Sequence, residues 1–443
     1  MRKLAALLLS LTVALSLSGC AAEQSGDALS FEPNTQVLPA GEELEIWFVT
    51  DLHYLSPDLT DCGEPFLRML ARGDGKMAHY SPEIAGALVD AAVREQPDAL
   101  LLGGDLTFNG ELLSHQELAG LLAQVEAAGV PVLVIPGNHD LNSQSAYRYE
   151  GDSAYPADTL TGAEFRQLYG SFGYADSLTH DDGSFSYAYE LAEDLWLVAV
   201  DANSEENPGR VKDSTLKWLD ETLTQAEEQG AAVITFTHQN TLRHNALFPF
   251  GYTIINNQSV QDVLLDHSVA LNLSGHIHLQ HVGTLDGFSE ITTSSLAIVE
   301  NHVGRVTVAE DRSGVYDTFS LDVAGYAAAQ GWQDENLRNF AGYGWDYFVQ
   351  NGFRGMEEEL AGYGLTEEET RQMSETAREI NGLYFTGRLA GARGEVEASP
   401  GGQLWLAHFR QGSVSEYIEY LLAYSVKDEN HLEIPSLRLE GRN

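Results

Sequence analysis

Five short apolar runs in this 443-residue chain each stop at a carboxylate, amide or imidazole side chain, and that repeated placement constrains the fold more than anything else in the sequence. Residues 44–50 (LEIWFVT) lead into Asp51 and His53, and residues 99–102 into Gly104 and Asp105. Residues 131–135 (PVLVI) lead into Gly137, Asn138, His139 and Asp140. Residues 232–236 (AVITF) lead to His238, and 269–273 (VALNL) to Gly275, His276, Ile277 and His278. Short continuous apolar runs read as strands buried on both faces. Helical patterns separate them. Within 81–95, Ile84, Ala87, Leu88, Ala91 and Ala92 form one stripe, with Pro82 at the first turn. Residues 116–128 and 214–228 read as two more helices, and 195–200, 291–293 and 304–308 as further strands. Strands alternating with helices predict an α/β layered fold. In such folds ligands collect beyond the carboxyl ends of the strands, where all five polar clusters fall.

The polar residues are chemically coherent as a set. Carboxylate and amide oxygens mixed with imidazoles, without thiolates, suit Mn, Fe or Zn.

The ordered series Asp51-Leu52-His53, Gly104-Asp105, Gly137-Asn138-His139-Asp140, His238 and Gly275-His276-Ile277-His278 resembles the calcineurin-like metallophosphoesterases over residues 44–310. The resemblance implies a two-sheet sandwich flanked by helices, with two metals at the edge of the sheets. By position, it implies a first metal on Asp51, His53, Asp105 and His278. A second would sit on Asp105, Asn138, His238 and His276, with Asp105 bridging and a hydroxide attacking phosphorus. His139 would carry no metal and donate a proton to the leaving oxygen. Asp140 is the candidate to orient it, and Arg243 the candidate for a substrate phosphate, because its fork matches phosphate oxygens. Purple acid phosphatases carry a Tyr ligand shortly after Gly-Asp; here Leu106-Thr107-Phe108-Asn109 follows. The stretches 51–57 and 275–281 resemble bacterial envelope lipoproteins regarded as cyclic-nucleotide phosphodiesterases. The expected activity is therefore hydrolysis of a small phosphodiester. A phosphomonoesterase, a lipid or cell-wall phosphodiesterase, and a non-catalytic envelope binding lipoprotein are the alternatives.

Charge narrows the partners. Lys and Arg number 24 against 66 Asp and Glu, for a net charge of −42. No basic stripe answers a polyanion, so a nucleic-acid polymer is not an expected partner, and no protein partner is evident. Arg2 and Lys3 precede an apolar stretch from Leu4 to Leu17, too short for a span of ~20 residues. It reads as a signal peptide over 1–19. Leu17-Ser18-Gly19-Cys20 looks like a bacterial lipobox, which would anchor the protein by a lipid on Cys20 outside the cytoplasm, at the cell membrane. Residues 20–43 read as a tether, and Cys62 as a buried or quiet thiol.

The catalytic domain is expected over 44–324 and a C-terminal helical domain over 325–443. In the latter, Thr366-Glu367-Glu368-Glu369 reads as a capping box, followed by Met373, Ala377, Ile380 and Tyr384 at helical spacing, with another helix over 414–424. Its aromatics, among them Phe340 and Phe348, read as packing core.

Overall fold

A computed structural model of the chain describes residues 36–204, 208–248, 250–353, 356–410 and 412–439. The signal segment, Cys20 and most of the expected tether lie outside these residues. Where the tether is described it is already docked: Leu38 donates its N–H to Leu191 O at 2.9 Å and accepts from Glu193 N–H at 3.0 Å. The tether expected to run to residue 43 therefore ends earlier.

The strands are β1 (Leu44–Val49), β2 (Ala99–Leu102), β3 (Val132–Val134), β4 (Tyr147–Glu150), β5 (Ser153–Pro156), β6 (Thr179–His180), β7 (Tyr187–Ala192) and β8 (Leu195–Val200). They continue with β9 (Ala232–Thr237), β10 (Leu271–Ser274), β11 (His281–Leu285), β12 (Phe288–Thr292), β13 (His302–Val308), β14 (Gly314–Ser320) and β15 (His431–Ile434). One sheet has the order β15-β14-β13-β1-β2-β3, and a second has β11-β12-β10-β9-β8-β7-β6. Each has a parallel centre, β1-β2-β3 in one and β8-β9-β10-β12 in the other, with antiparallel strands outside it.

Alternation along the strands builds the layers. Ile46 and Phe48 of β1 join Leu101, Leu133, Ile234, Phe236 and Leu273 in a core between the sheets. Trp47 and Val49, the other face of β1, pack with Ile84, Leu88, Leu118 and Leu122 from the helices Ser81–Glu95 and Leu112–Ala127. On the far side, Trp196, Val198 and Val233 pack with Leu219, Leu223, Val260 and Leu264 from Asp213–Gln229 and Asn257–Asp266. Both faces of each central strand are covered, which is why these strands read as unbroken apolar runs.

The chain beyond β14 is mostly helical, from Val323–Ala329 to Ser413–Tyr424. The helix Glu367–Phe385 opens with the capping box of Thr366 and Glu369. Its core gathers Met373, Ala377, Ile380, Trp405, Ile418 and Leu421, and also Ile277 and Leu279. The segment Gly275-His276-Ile277-His278-Leu279 thus alternates between two environments, with its apolar side chains in the helical core. The last strand, β15, then returns to pair antiparallel with β14, so this region is not helical to its end. Of the buried or quiet thiol expected at Cys62, the buried alternative does not hold: the residue is exposed, with its backbone at φ 58°.

Candidate metal centre

Asp51, His53 and Asp105 are wholly or almost wholly buried, and they meet His278 at the carboxyl ends of β1 and β2. One ligand atom from each lies within 4.8 Å of those of the others. His278 Nε2 is 3.2 Å from Asp51 Oδ1 and 3.3 Å from His53 Nε2. His53 Nε2 is 3.8 Å from Asp105 Oδ2. Asp51 Oδ2 is satisfied by Thr50 Oγ1 at 2.7 Å and His276 N–H at 2.8 Å. Asp51 Oδ1 is buried and makes no hydrogen bond of good geometry, its polar neighbour being His278 Nε2 at 3.2 Å. A buried carboxylate oxygen left unpaired among imidazole nitrogens is costly unless a cation joins them.

A second set shares Asp105 and adds His238 and His276. His238 Nδ1 donates to Gly103 O at 2.8 Å, and His276 Nε2 to Gly251 O at 2.7 Å. Carbonyls only accept, so these contacts fix each tautomer and leave the other ring nitrogen with a free lone pair. His238 Nε2 faces Asp105 Oδ1 at 3.3 Å and Asn138 Oδ1 at 3.1 Å. Three lone pairs converge there and need a proton or a cation between them. Accordingly, burial lowers the pKa of His238 but Asp105 and Asp51 outweigh it, to about 9. Burial raises that of Asp105, yet His238 and His139 draw it well below the carboxylate range. The donor sets fit two divalent cations.

The backbone is bent to make this possible. Asp51, His53, Asp105, His276 and His278 all take positive φ, between 46° and 68°. Such conformations cost energy in non-glycine residues and cluster where function over-determines them. Two glycines leave the needed room. A Cβ on Gly137 would lie 2.1 Å from Asp105 N and Oδ1, and one on Gly275 1.9 Å from Thr50 Oγ1.

Residues 44–280 match the description "Calcineurin-like phosphoesterase". This chain belongs to that family. Its members use divalent metal ions. Residues 322–428 match a second description, "C-terminal domain of cyclic nucleotide phosphodiesterase". A curated protein of Moraxella catarrhalis, "Probable cyclic nucleotide phosphodiesterase", is 24% identical over 197 residues, which is 44% of this chain and 63% of that protein. A solved dimetal phosphatase from Danio rerio is 17% identical, with a TM-score of 0.46, covering 62% of this chain and 96% of the other.

Around the donor sets of this calcineurin-like phosphoesterase, the polar residues divide by task. His139 is one-third exposed, with Nε2 4.0 Å from Asp105 Oδ2 and its N–H donated to Asp105 Oδ1 at 2.9 Å. Its Nδ1 meets Asn109 Oδ1 at 2.9 Å. Asp140, expected to orient His139, does something else. Its Oδ2 accepts from Leu106 N–H at 3.0 Å and Gly137 N–H at 2.8 Å; its Oδ1 accepts from Thr107 N–H at 2.9 Å and Oγ1 at 3.0 Å. With those bonds made it is a brace between the loops carrying Asp105 and Asn138. Asn109 takes the orienting place, and Glu111 Oε2 holds Asn109 N–H at 2.9 Å. A lone amide in a loop gave sequence reasoning no signal.

Arg243 is exposed and outside both donor sets. Its neighbours are tied down by buried Glu290, which accepts the N–H groups of Thr241, at 2.7 Å, and Leu242, and sits 3.2 Å from His244 Nε2. His244 in turn meets His281 at 2.9 Å. Loop 241–253 is thereby anchored where Gly251 O can hold His276.

Proposed function

We propose that this protein is a dimetal phosphodiesterase acting on small phosphodiesters, with a cyclic nucleotide as substrate. Two donor sets sharing one carboxylate, Asp105, carry the reading. Asp51, His53, Asp105 and His278 would hold one cation, and Asp105, Asn138, His238 and His276 the other. The pair would supply Lewis acidity at the phosphoryl oxygens and lower the pKa of water at the site. The chain's own residues do the rest. His139 donates its Nδ1–H to Asn109 Oδ1, which holds the ring; as an imidazolium it can then give the proton on Nε2 to the departing ester oxygen. Asp140 and Gly103 O hold the loops and the His238 tautomer against drift. The cyclic-nucleotide part is supported by the match of residues 322–428 and by the name of the Moraxella relative. The net charge of −42 disfavours a polymeric phosphodiester. We place the protein outside the cytoplasm, held to the bacterial cell membrane by a lipid on Cys20.

The test is a hydrolysis screen with added Mn across bis-p-nitrophenyl phosphate, p-nitrophenyl phosphate, and 2',3'- and 3',5'-cyclic nucleotides. Elemental analysis of the same protein should give about two transition metals per chain. Chelation should abolish turnover, Mn should restore it, and Asp105→Ala should do the most damage of any ligand change. Preference for the monoester would overturn the phosphodiesterase reading. A metal-free yet active protein would overturn the dimetal one, and a loaded protein inert on every substrate would favour a binding lipoprotein.

A further inference from the structure

Among the described residues beyond β14, none belongs to either donor set, but the helices there reach the centre through loop 241–253. The two ends of this loop are held by the catalytic sheets. Glu290 of β12 accepts from Thr241 and Leu242 at one end. Near the other, Tyr252 O accepts from Asn240 N–H at 3.2 Å, and Ile254 donates its N–H to Asn240 O at 2.9 Å. The middle of the loop is held differently. Asn245, 1% exposed, donates from Nδ2 to the hydroxyl of Tyr384 at 2.9 Å, on the helix Glu367–Phe385. Ala246 donates its N–H to the hydroxyl of Tyr420 at 3.0 Å, on the helix Ser413–Tyr424. The ring of Phe248 is 6.1 Å from that of Tyr417 on the same helix, and 5.5 Å from that of Tyr252. Phe248 and Tyr252 both pack against the core of the C-terminal helices.

This loop touches one ligand directly. Gly251 O accepts from His276 Nε2 at 2.7 Å, and the Tyr252 ring lies 5.7 Å from the His276 ring. Among the described residues, His276 is the one ligand side chain that the loop hydrogen-bonds. A loop fixed only at its ends keeps conformational freedom in its middle, and Gly251 O would drift with it. An imidazole that loses its acceptor loses the tautomer and the orientation that present its other nitrogen to a cation. We propose that the C-terminal helices are a positioning element for the second cation. Tyr384 and Tyr420 are the positioning residues: they hold residues 245 and 246, and through Gly251 and Tyr252 they keep His276 aimed at its metal. The region matched over 322–428 thereby has a task at the centre without supplying a ligand. This rests on the dimetal reading but not on the identity of the ester.

The experiment uses the full chain, with Mn as the probe and bis-p-nitrophenyl phosphate as the substrate. Tyr384→Phe combined with Tyr420→Phe removes the two hydroxyls and leaves both rings in the helical core. Calorimetric titration of the variant with Mn should leave one site within about twofold of its affinity in the unaltered protein. The other should weaken by about 10- to 100-fold, the usual range when a partner behind a ligand is lost. At a Mn concentration that fills both sites of the unaltered protein, paramagnetic resonance should show a coupled pair there and an isolated Mn in the variant. Saturating Mn should restore turnover of the diester, because neither tyrosine touches the reacting atoms. Equal weakening of both sites would mean general loosening of the fold and would overturn the assignment. So would unchanged affinity at both, or turnover that excess Mn does not restore. Tyr420→Phe alone is the milder variant should the double one fail to fold, and it must show the same selectivity in a smaller shift. Failure of the dimetal reading is distinguishable, because there the unaltered protein itself would not bind a pair of Mn ions.

Discussion

Asn109 and Glu111 sit two residues apart in the loop after Asp105, and between them they fix His139. If His139 is the acid, His139→Ala should retain both metals and slow turnover by about 100- to 10,000-fold. The loss should be greatest for a poor leaving group such as a ribose oxygen and smaller for p-nitrophenolate; equal losses on both would contradict the acid role. Asn109→Leu should lose part of the same rate with the same leaving-group dependence, because it frees the ring without removing it. Asn138→Ala should instead weaken the second metal and slow every substrate alike. Glu111 offers a separate measurement. Burial raises its carboxyl from 4.5 to about 7, and its Oε1 has no hydrogen bond. A raised folded pKa means that the favourable contribution is complete below the unfolded value and is lost as pH rises toward and through 7. The difference corresponds to about 3 kcal/mol. Glu111→Gln keeps an acceptor for Asn109 but has no charge to bury. Its Tm advantage over the unaltered protein should be near zero at pH 4.5 and reach about 2–5 °C at pH 8. A constant difference across that range would refute the account. The ligand types were readable because each ended an apolar run. Asn109 and Glu111 were not, since their meaning lies in contacts across loops.

The loops after β2 and β3 behave as one unit because Asp140 is buried beneath both. Asp140→Ala would strand the N–H groups of Leu106, Thr107 and Gly137 without their acceptor. The expected cost is about 3–5 kcal/mol, with metal lost before the fold. Thermal melts and metal content should fall together, and an Ala variant with unchanged Tm would show that water or rearrangement replaces the brace. The strands that position these loops were legible: their residues are buried on both faces, and the apolar run states that directly. The edges were not. In β15 (HLEI) only Ile434 is buried, too little alternation to mark a strand. In β7 (YAYELA) both faces are covered, yet Tyr and Glu interrupt the apolar pattern. The pairing of β15 is decided by β14, more than a hundred residues earlier, which local pattern does not record.

For the molecule as a whole, attachment and architecture are separable. Cys20→Ser should release the protein from membranes or leave its precursor uncleaved, while the purified variant keeps its metals and turnover. Unchanged fractionation and processing would refute the lipid anchor. Architecture is less divisible than a domain list suggests. The sheet that carries Asp51 is closed on one side by β13, paired with β1, and extended by β14 and finally β15. Ile277 and Leu279, flanking His278, sit in the core of the helices that follow. These dependencies set an order in time. While the chain is being made, β1 emerges early and waits for a neighbour some 260 residues later, and β14 waits more than a hundred residues for its own. At about 5–20 residues per second, tens of seconds pass in which the first strand has its parallel partner β2 but an open flank. Nascent chains interrupted before residue 431 would thus present an unpaired β14 edge, and a helper that shields such edges during synthesis or export would find its client in this protein.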